Sequence, residues 1–471
     1  MAHVGLIGIG VMGASFAQNL AEEGHSVSML DRSIEKMQAV ADAGKTLKGD
    51  LIICKDAEAL IKSLPTPRTV LVLVPSGAPL DSVIEMVKPL LDKGDLIADL
   101  GNSYYKETER RTAELENLGL YFLGMGISGG AEGARHGPSI MAGGSRESWA
   151  RVEGALKDAA AKFEGTPCCD WFGPGGSGHF IKMLHNGIEY ADMQQIAESY
   201  GIMRDGLGMS AGDIADVYKS WMNGPLNSYL IEIAGEVAAA TDPKTGGAML
   251  DIILDKAGQK GTGRWSVVES LHLGQPNSLI AAAVEARNLS AQKDSRLEME
   301  TIFGASPTAL GNSLGDRVDA INSLEQAMIA AKVCAYIQGF EILNAASNEF
   351  EWNLDLAAIA RVWRAGCIIR SVFLDEISDV YDNGGRSNLA LSPVFGQRLK
   401  DHIPALQQVT AASVAHGLHV PAMFAALSFH NMSRTGQSTA NMIQGLRDYF
   451  GAHTFERLDD LGTAVNGPWH D

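Results

Sequence analysis

The sequence predicts an α/β protein whose N-terminal part is a doubly wound, mostly parallel sheet, followed by a large all-helical domain and a C-terminal tail. Three observations predict this fold class. Short apolar runs alternate with helical stretches through the first third of the chain, a glycine-rich turn follows the first run, and long helical periodicities replace the strand patterns after Cys169. With 471 residues the chain exceeds what a single core usually spans. We therefore predict domains at residues 1–176 and 177–434 and a tail at 435–471.

Five runs rich in apolar residues predict the strands of the sheet. They are 3–8, 26–31, 69–74, 96–100 and 121–125. Helical stretches separate them, and strands that alternate with helices form parallel sheets covered by helices on both faces. From about 179 to 435 the periodicity is helical with few strand candidates, whereas the chain from Thr435 is rich in Gly, Asn, Gln and aromatic residues. We expect that tail to be irregular and to be docked on another surface.

The composition is that of a globular protein, with 46% apolar and 20% charged residues. The formal net charge of −18 argues against nucleic acid and against an anionic membrane surface as partners, because a phosphate polymer would be repelled overall. A small anion stays compatible with this charge if basic groups converge locally.

The cysteines are few, odd in number and without a Cys-x-x-Cys pair. They are Cys54, Cys168, Cys169, Cys334 and Cys367. Such usage favours reduced thiols in a cytoplasmic protein. We find no signal-peptide pattern at the N-terminus and no apolar run of the length that a bilayer needs, so we expect a cytoplasmic protein without membrane association.

A glycine-rich motif, Gly8-Ile9-Gly10-Val11-Met12-Gly13, follows the first strand directly, and an amphipathic stretch runs on to Glu23. Alone, this glycine spacing is a weak signal. Between a strand and a helix, and with Asp31 at the end of the second strand roughly 20 residues further on, it predicts a Rossmann-like dinucleotide site. The glycines let the backbone approach the pyrophosphate at a helix N-terminus, where free N–H groups and the helix dipole favour an anion.

The residues after the second strand leave the choice of dinucleotide open. Asp31 suits the free ribose 2′-hydroxyl of NAD. Arg32, Ser33 and Lys36 could instead hold the 2′-phosphate of NADP. The two signals conflict.

A second chemical motif lies on the helical stretch 175–200. Lys182, His185, Asn186 and Glu189 fall at i, i+3, i+4 and i+7, which places them on one helical face. The lysine and the glutamate are about 10 Å apart along a helix axis, at roughly 1.5 Å per residue, so a small substrate fits between them. Most polar stripes are solvated helix faces. Here the other positions are apolar on several sides, so we expect a mostly buried helix, and a buried lysine must be paired, neutral or functional.

Two further glycine-rich segments follow predicted strands, Leu-Gly-Asn-Ser at 100–103 and Gly-Ile-Ser-Gly-Gly at 126–130. Both would lie at the carboxyl ends of parallel strands, where open α/β sheets bind ligands. Each of them alone is equally compatible with ordinary turn chemistry.

Together with the helix at 179–200, these segments make the chain resemble the 6-phosphogluconate dehydrogenase family, the decarboxylating enzymes of the oxidative pentose phosphate pathway, over nearly its whole length. The resemblance rests on GxGxxG at 8–13, GNS at 101–103, SGG at 128–130, GPSIM at 137–141, GHFIKMLHNGIEYADMQ at 178–194, SYLIEI at 228–233, ILDKAGQKGTGRW at 253–265, RNLS at 287–290, GCIIRS at 366–371 and RDYFGAHTFER at 447–457. A set this long and ordered is highly specific.

The resemblance implies roles for individual residues. Lys182 would be the general base and Glu189 the general acid. The sugar acid would be surrounded by Asn102, Ser128, Gly129, Gly130, His185 and Asn186, and its phosphate would be bound by Tyr190, Lys260 and Arg287. Arg447 and His453 in the tail would reach the substrate site of a neighbouring subunit, which implies a homodimer. The cofactor would be bound by Gly8, Gly10, Val11, Met12, Gly13, Asp31, Arg32, Ser33, Val74, Pro75 and Asn102.

The implied reaction oxidises 6-phosphogluconate at C3 and releases CO2 to give ribulose 5-phosphate. Neutral Lys182 would take the proton of the 3-hydroxyl, which requires a lysine pKa lowered by burial or by nearby positive charge. As an ammonium it would then polarise the carbonyl of the β-keto acid while CO2 leaves, and Glu189 would protonate the enediol carbon. No metal is needed, and the sequence has no His/Asp/Glu cluster with ligand spacing.

Three positions near the cofactor depart from the pattern of the family. The family usually has a lysine followed by Ala-Gly after the strand at 69–74, where this chain has Pro75-Ser76-Gly77. It usually has a glutamate after Ser-Gly-Gly and commonly an asparagine at the end of the second strand, where this chain has Ala131 and Asp31. We therefore expect NADP from the family, but tolerance of or preference for NAD from Asp31.

Two other interpretations stay open from the sequence. A β-hydroxyacid dehydrogenase that oxidises without releasing CO2 would share the cofactor turn and the helix lysine. Such relatives commonly have shorter helical domains and lack the set of Lys260, Arg287 and Arg447. An inactive relative that binds nucleotide as a sensor or scaffold would have no need for both Lys182 and Glu189.

Overall fold

The structure is a computed structural model that describes residues 1–386 and 388–469. The chain divides into two compact units, Met1–Ala426 and Leu427–Asp471. The first unit holds the main sheet and most of the helices. The domain limits that we placed at 176 and 434 remain predictions, and the helix that follows the sheet begins at Ser177.

The strands of the first unit come before this helix, and the tail adds a hairpin. The described strands are β1 His3–Ile7, β2 Ser26–Leu30, β3 Leu51–Ile53, β4 Thr69–Val72, β5 Leu96–Asp99, β6 Tyr121–Ser128, β7 Ser139–Gly144, β8 Lys162–Phe163, β9 Thr166–Pro167, β10 Cys169–Trp171, β11 Phe455–Arg457 and β12 Asp460–Val465. Strands β8 and β9 pair only with each other, as do β11 and β12 in the tail.

Eight strands form one sheet in the order β10-β7-β6-β5-β4-β1-β2-β3. Every neighbouring pair is parallel except β6 and β7, which are antiparallel. Strands β1, β4, β5 and β6 therefore end at the same edge of the sheet. The glycine-rich turn and the segments at 100–103 and 126–130 all meet at this edge, which is where ligands bind in such sheets.

The helices fall into two groups. Those interleaved with the sheet are α1 Val11–Glu22, α2 Ile34–Ala43, α3 Ala57–Ser63, α4 Ala78–Val87, α5 Tyr105–Glu116, α6 Gly130–His136 and α7 Arg146–Ala159. Those that follow it are α8 Ser177–Gly201, α9 Ala211–Trp221, α10 Tyr229–Ala239, α11 Thr262–His272, α12 Ser278–Ser290, α13 Lys293–Phe303, α14 Arg317–Glu349, α15 Leu356–Val362, α16 Phe373–Asp382, α17 Pro393–Ala415, α18 Pro421–Ser433 and α19 Ala440–Gly451.

The sheet has a separate apolar core on each face, because successive side chains of a strand point to opposite sides. Leu6 and Leu71 lie in one core with Phe16 of α1. Ile7 and the residues on either side of Leu71 lie in the other core, with side chains of α3 and α4. Both faces of the sheet are therefore covered, which confirms the doubly wound fold predicted from the alternation of strands and helices.

The five predicted strands are confirmed, and in the predicted helical half every element of the described residues is a helix, with loops between the helices. Strands β3, β7, β8, β9 and β10 were missed, because β7 contains small residues that give no strand pattern and the other four have only two or three residues each. The prediction of an irregular tail was wrong, since the tail forms α19 and a hairpin. Asp448 organises it by accepting the N–H groups of Thr454 and Gly467, both at 2.8 Å, which composition does not reveal.

Two features are absent from the residues that the structure describes. No helix there has both the length and the apolarity needed to cross a bilayer. Across 1–386 and 388–469, no three His, Cys, Asp or Glu side chains converge as metal ligands do.

Candidate active site

The glycine-rich turn after β1 has the geometry that a dinucleotide needs. Gly8 has a φ of +99°, and a Cβ there would overlap the carbonyl oxygen of Leu73. A Cβ on Gly13 would overlap the carbonyl oxygen of Gly8, whereas one on Gly10 would meet nothing within 4 Å. The tight positions therefore close the turn against the sheet, and Gly10 leaves open space for a ligand.

The N-terminus of α1 is open to an anion. The helix begins at Val11, which is 76% exposed, and Gly10 provides no side-chain cap. The first N–H groups of a helix have no partner within the helix, and together with the helix dipole they favour a diphosphate. The residues present, from Gly8 through Met12 to Gly13, therefore fit a dinucleotide.

Asp31 ties this turn to the end of β2. Its Oδ2 accepts the N–H of Ile9 at 2.8 Å, and its Oδ1 accepts the N–H of Ser33 at 3.0 Å. The hydroxyl of Ser33 in turn caps α2 by accepting the N–H of Lys36 at 3.3 Å. Arg32 lies between them with its side chain exposed. Both oxygens of the carboxylate thus accept backbone N–H groups, and the next residue along the chain carries an exposed guanidinium.

The ends of β4 and β5 bring the other predicted cofactor residues to the same edge of the sheet. Val74 packs on the turn, since a Cβ on Gly8 would lie 2.8 Å from its Cγ1. Pro75 follows it and is exposed. Asn102 is exposed in the turn after β5.

Helix α8 packs on the sheet through glycines. A Cβ on Gly126 of β6 would overlap the Cβ of Lys182. A Cβ on Gly178 of α8 would lie 2.5 Å from the backbone nitrogen of Gly143 in β7. Because these positions lack side chains, the backbones of helix and sheet approach closely, and Lys182 lies directly against the end of β6.

Lys182 is buried, with 5% of its surface exposed. Its Nζ donates a hydrogen bond to Oδ1 of Asn186 at 2.8 Å, and Nδ2 of Asn186 donates to the hydroxyl of Thr262 at 3.1 Å. Burial lowers the pKa of Lys182, and the negative charges of Glu189 and Cys367 oppose this effect. The environment therefore favours a neutral amine, which is the form that accepts a proton.

His185 lies next to this amine and is fully buried. Its Nδ1 donates to Oδ1 of Asn186 at 3.0 Å, because a carbonyl oxygen can only accept. Its Nε2 then accepts from the hydroxyl of Ser128 at 3.3 Å, and its ring meets Trp363 edge to face at 5.6 Å. Burial, and next the nearby Lys182 whenever its amine is protonated, hold the pKa of His185 well below its usual range, so the imidazole is neutral.

Glu189 completes the same polar cluster. Its Oε2 lies 3.8 Å from Nδ1 of His185. Burial raises the pKa of Glu189, and the positive charges of Lys182 and Arg287 oppose this effect. The structure thus brings together the four side chains of the predicted helical face, with Asn186 and His185 between the amine and the carboxyl group.

Tyr190 and Arg287 form a second pair beside this cluster. The guanidinium of Arg287 lies 3.5 Å from the centre of the Tyr190 ring, and its Nη1 donates to the carbonyl of Gly258 at 3.4 Å. Lys260 follows in the same loop and is exposed. The structure therefore joins Tyr190 and Arg287 and leaves the ammonium of Lys260 in solvent.

The turn after β6 is held by a distant segment. Gly129 has a φ of +112°, and a Cβ there would lie 2.5 Å from the carbonyl oxygen of Gly366. That same oxygen accepts the N–H of Ser139 at 2.8 Å. Gly130 opens α6, and a Cβ there would meet nothing within 4 Å. Ser128 and the two glycines thus form a fixed turn with open space at Gly130.

Arg447 and His453 lie in the second unit. Arg447 is on α19, and His453 is in the turn that follows, with its ring 5.9 Å from the ring of Phe450. Asp448 accepts the N–H of Thr454 and so fixes this turn against the helix. The two basic side chains are thus carried by one ordered segment.

Sequence reasoning missed three residues that shape the pocket. Thr262 accepts a hydrogen bond from the amide of Asn186, and the sequence gave it no role beyond its place in the ILDKAGQKGTGRW segment at the start of a helix. Gly126 had a signal, because a glycine inside a strand pattern indicates close backbone approach. Gly366 begins the GCIIRS segment on which the resemblance rests, but no sequence pattern indicated its contact with Gly129, because that contact joins segments far apart in the chain.

Comparison with family models places both parts of the chain in one family. Residues 3–173 match the model described as the NAD binding domain of 6-phosphogluconate dehydrogenase. Residues 178–469 match the model of the 6-phosphogluconate dehydrogenase C-terminal domain.

Individual relatives agree over almost the full length. The chain is 43% identical to the decarboxylating 6-phosphogluconate dehydrogenase of Bacillus licheniformis, over 98% of both chains. It is 42% identical to the NADP(+)-dependent, decarboxylating enzyme of Bacillus subtilis, over 98% of this chain and 97% of that one. Among solved structures, Plasmodium falciparum 6-phosphogluconate dehydrogenase matches with a TM-score of 0.94 and 36% identity, over 99% of this chain and 100% of that one. The chain therefore belongs to the 6-phosphogluconate dehydrogenase family.

Proposed function

We propose that this protein oxidises and decarboxylates 6-phosphogluconate to ribulose 5-phosphate and CO2, with NADP as the hydride acceptor. The observation that carries the proposal is the buried cluster in which Asn186 and His185 connect the amine of Lys182 with the carboxyl group of Glu189. The names of the relatives support the decarboxylation. The description of the Plasmodium structure names both 6-phosphogluconate and NADP+ as bound molecules.

In this proposal Lys182 is the general base. Burial lowers the pKa of this amine, which favours the neutral form that a base requires, and Asn186 fixes its orientation. The amine takes the proton of the substrate 3-hydroxyl as C3 is oxidised. NADP, when bound, supplies the acceptor for the hydride.

The same lysine serves the second step. As an ammonium it donates a hydrogen bond to the new carbonyl oxygen and stabilises the charge that develops there when CO2 leaves. Burial raises the pKa of Glu189, which favours its protonated form, and in that form Glu189 then delivers a proton to the enediol carbon. Two groups with pKa values displaced in opposite senses thus supply the base and the acid.

The remaining predicted residues bind the substrate. Asn102, Ser128, Gly129 and Gly130 would contact the sugar acid together with His185, at the edge where β5 and β6 end. Lys260 and Arg287 would hold the phosphate, with Arg287 stacked on Tyr190. These cations explain how a chain with a net charge of −18 could bind an anionic substrate, because charge-assisted hydrogen bonds act locally.

We further propose a homodimer in which Arg447 and His453 of one copy complete the substrate site of the other. The ordered α19 segment that carries both side chains supports this role. A further guanidinium near the phosphate would add charge-assisted hydrogen bonds, and the imidazole would add another hydrogen-bonding group.

The test of the function is direct. We expect the purified protein with 6-phosphogluconate and NADP to produce reduced cofactor and CO2 in equal amounts. Absorbance of the reduced nicotinamide and trapped CO2 are measured in the same reaction, and heat-denatured protein is the blank. Reduced cofactor without CO2 would favour a dehydrogenase that only oxidises. If neither product formed, the role would be that of an inactive nucleotide-binding relative.

The choice of cofactor gives a prediction at Asp31. The substitution Asp31→Asn removes a negative charge beside Arg32 and keeps one oxygen to accept from the backbone. We expect the ratio of kcat/KM for NADP over that for NAD to rise about tenfold, equivalent to roughly 1.4 kcal/mol. The wild-type protein should use NADP and also accept NAD.

Asp42→Asn is the matched control, because Asp42 is an exposed carboxylate on α2 and its loss changes net charge equally. We expect no change in the ratio for that variant. An unchanged ratio in Asp31→Asn would show that this carboxylate stabilises the turn and does not influence the choice between NADP and NAD.

A further inference from the structure

The turn that carries Asn102 is held from two sides by buried carboxylates. Asp99, at the end of β5, is 1% exposed and accepts the N–H of Gly101 at 2.9 Å and the hydroxyl of Ser103. This fixes the first half of the turn from the sheet.

The second carboxylate, Glu269, comes from α11 in the helical half of the chain. It is 1% exposed and accepts the hydroxyl of Tyr104, the hydroxyl of Tyr105 at 2.7 Å and the ammonium of Lys106 at 3.1 Å. The exposed ring of His272 lies 3.3 Å away through its Nδ1. Three consecutive side chains, from the last residue of the turn and the first two residues of α5, therefore converge on one buried acid.

Aromatic packing reinforces this attachment. The ring of Tyr104 lies 5.2 Å from that of Trp265, which is also on α11. The ring of Tyr105 meets Phe180 of α8 edge to face at 5.1 Å. The hydroxyl groups thus reach Glu269 from rings that are already fixed in place.

The other end of α11 is attached to the catalytic helix. The hydroxyl of Thr262 accepts from Asn186, which orients Lys182. One turn later the hydroxyl of Ser266 donates to the carbonyl oxygen of Met183 at 2.8 Å. Helix α11 is therefore a rigid connection between the turn that carries Asn102 and the part of α8 that carries Lys182.

We propose that Glu269 is a positioning residue for the reaction: through α11 it holds the turn of Asn102 in register with Lys182 and Asn186. The inference rests on the proposed function, since it concerns the alignment of groups around the same substrate. Hydride and proton leave adjacent atoms in the oxidation, so a small displacement of one half of the site against the other slows this step. A misplacement of about 1 Å can lower a rate on the order of 100-fold.

The test is Glu269→Gln, which keeps the size of the side chain and removes the charge that three donors share. We expect kcat to fall by about tenfold or more, with the KM values for 6-phosphogluconate and NADP changed by less than about threefold. Hydride transfer should become more rate-limiting, so the deuterium isotope effect on kcat with substrate labelled at C3 should increase. A role in folding alone would lower the Tm and leave the isotope effect unchanged.

Glu198→Gln is the matched control. Glu198 is also a buried glutamate of the first unit, accepting the N–H groups of Ala422 at 2.7 Å and Met423 at 2.9 Å. Its loss should change the Tm without changing the isotope effect. If Glu269→Gln does not fold, Tyr104→Phe and Tyr105→Phe remove single hydroxyl groups, and the double variant should show the same rise in isotope effect.

The outcomes separate the two proposals. If the wild-type protein releases CO2 from 6-phosphogluconate but Glu269→Gln and the tyrosine variants keep its kcat and isotope effect, the positioning role is refuted. An equal rise of the isotope effect in Glu198→Gln would also refute it. If the wild-type protein itself releases no CO2, the proposed function fails.

Discussion

Lys182→Ala is expected to lower kcat by on the order of 10³-fold or more, because the variant has no base for the 3-hydroxyl proton and no ammonium for the decarboxylation. The measurement is the steady-state rate of NADP reduction with saturating 6-phosphogluconate. The variant should remain folded, because the hydrogen bond of the lysine Nζ is to the neutral amide of Asn186. Its removal therefore does not break a salt bridge. Thermal unfolding checks this point.

Lys182→Arg is the matched control for charge. A guanidinium keeps the cation but does not release its proton near neutral pH, so this variant should be as inactive as alanine. In the wild-type protein kcat should fall as pH decreases through the pKa of Lys182, which burial lowers, because the ammonium cannot take a proton. Near-normal turnover in either variant would show that another group is the base.

Lys182→Ala can also test whether the tail of one copy completes the substrate site of the other. Mixed dimers of Lys182→Ala and Arg447→Ala contain one site with Lys182 on its own chain and Arg447 from the other. We expect such mixtures, formed by unfolding and refolding together, to regain part of the activity that neither parent shows. Recovery would not occur if each chain completed its own site.

Glu189→Gln is expected to lower kcat by on the order of 100-fold, because glutamine cannot deliver a proton to the enediol carbon. The dependence of the rate on pH should also have a defined direction. The wild-type rate should fall as pH rises through the pKa of Glu189, which burial raises, since the ionised carboxylate has no proton to give. The variant should lose this alkaline decrease and keep the acid-side decrease that comes from Lys182.

The product gives a second measurement for this variant. In deuterated water the wild-type protein should place one deuterium at C1 of ribulose 5-phosphate with a single stereochemistry, because one acid on one face delivers it. Glu189→Gln should release the enediol and give a mixture of both configurations. Glu198 is a buried glutamate more than two turns further along α8, and Glu198→Gln should behave as wild type. If Glu189→Gln kept the wild-type pH profile and the wild-type stereochemistry at C1, Glu189 would not be the general acid.

The parts of the site that were predictable from sequence are those encoded by short-range patterns. The glycine spacing at 8–13 determines a turn because only a residue without a Cβ fits at Gly8 and Gly13. The helical spacing of Lys182, Asn186 and Glu189 determines that they share a face, because an α-helix has a fixed period. Both patterns depend on residues close together in the sequence and not on contacts with distant segments.

The parts that were missed depend on contacts between distant segments. The tail folds because Asp448 accepts N–H groups from residues on both sides of the hairpin, and the composition of the tail does not indicate these bonds. Glu269 gave no signal, since its partners Tyr104 and Tyr105 lie on another element far away in sequence. The close approach of Gly126 to Lys182 likewise appears only when helix and sheet are packed.

The sequence by itself determined the alternating fold, the dinucleotide turn and the chemistry present on helix α8, because steric and periodic constraints act between near neighbours. Only the tertiary structure decided the protonation chemistry, since burial in the folded chain is what lowers the pKa of Lys182 and raises that of Glu189. It also decided which distant side chains hold these groups in place. A pKa depends on the surroundings of a group in space, and those surroundings come from every part of the chain.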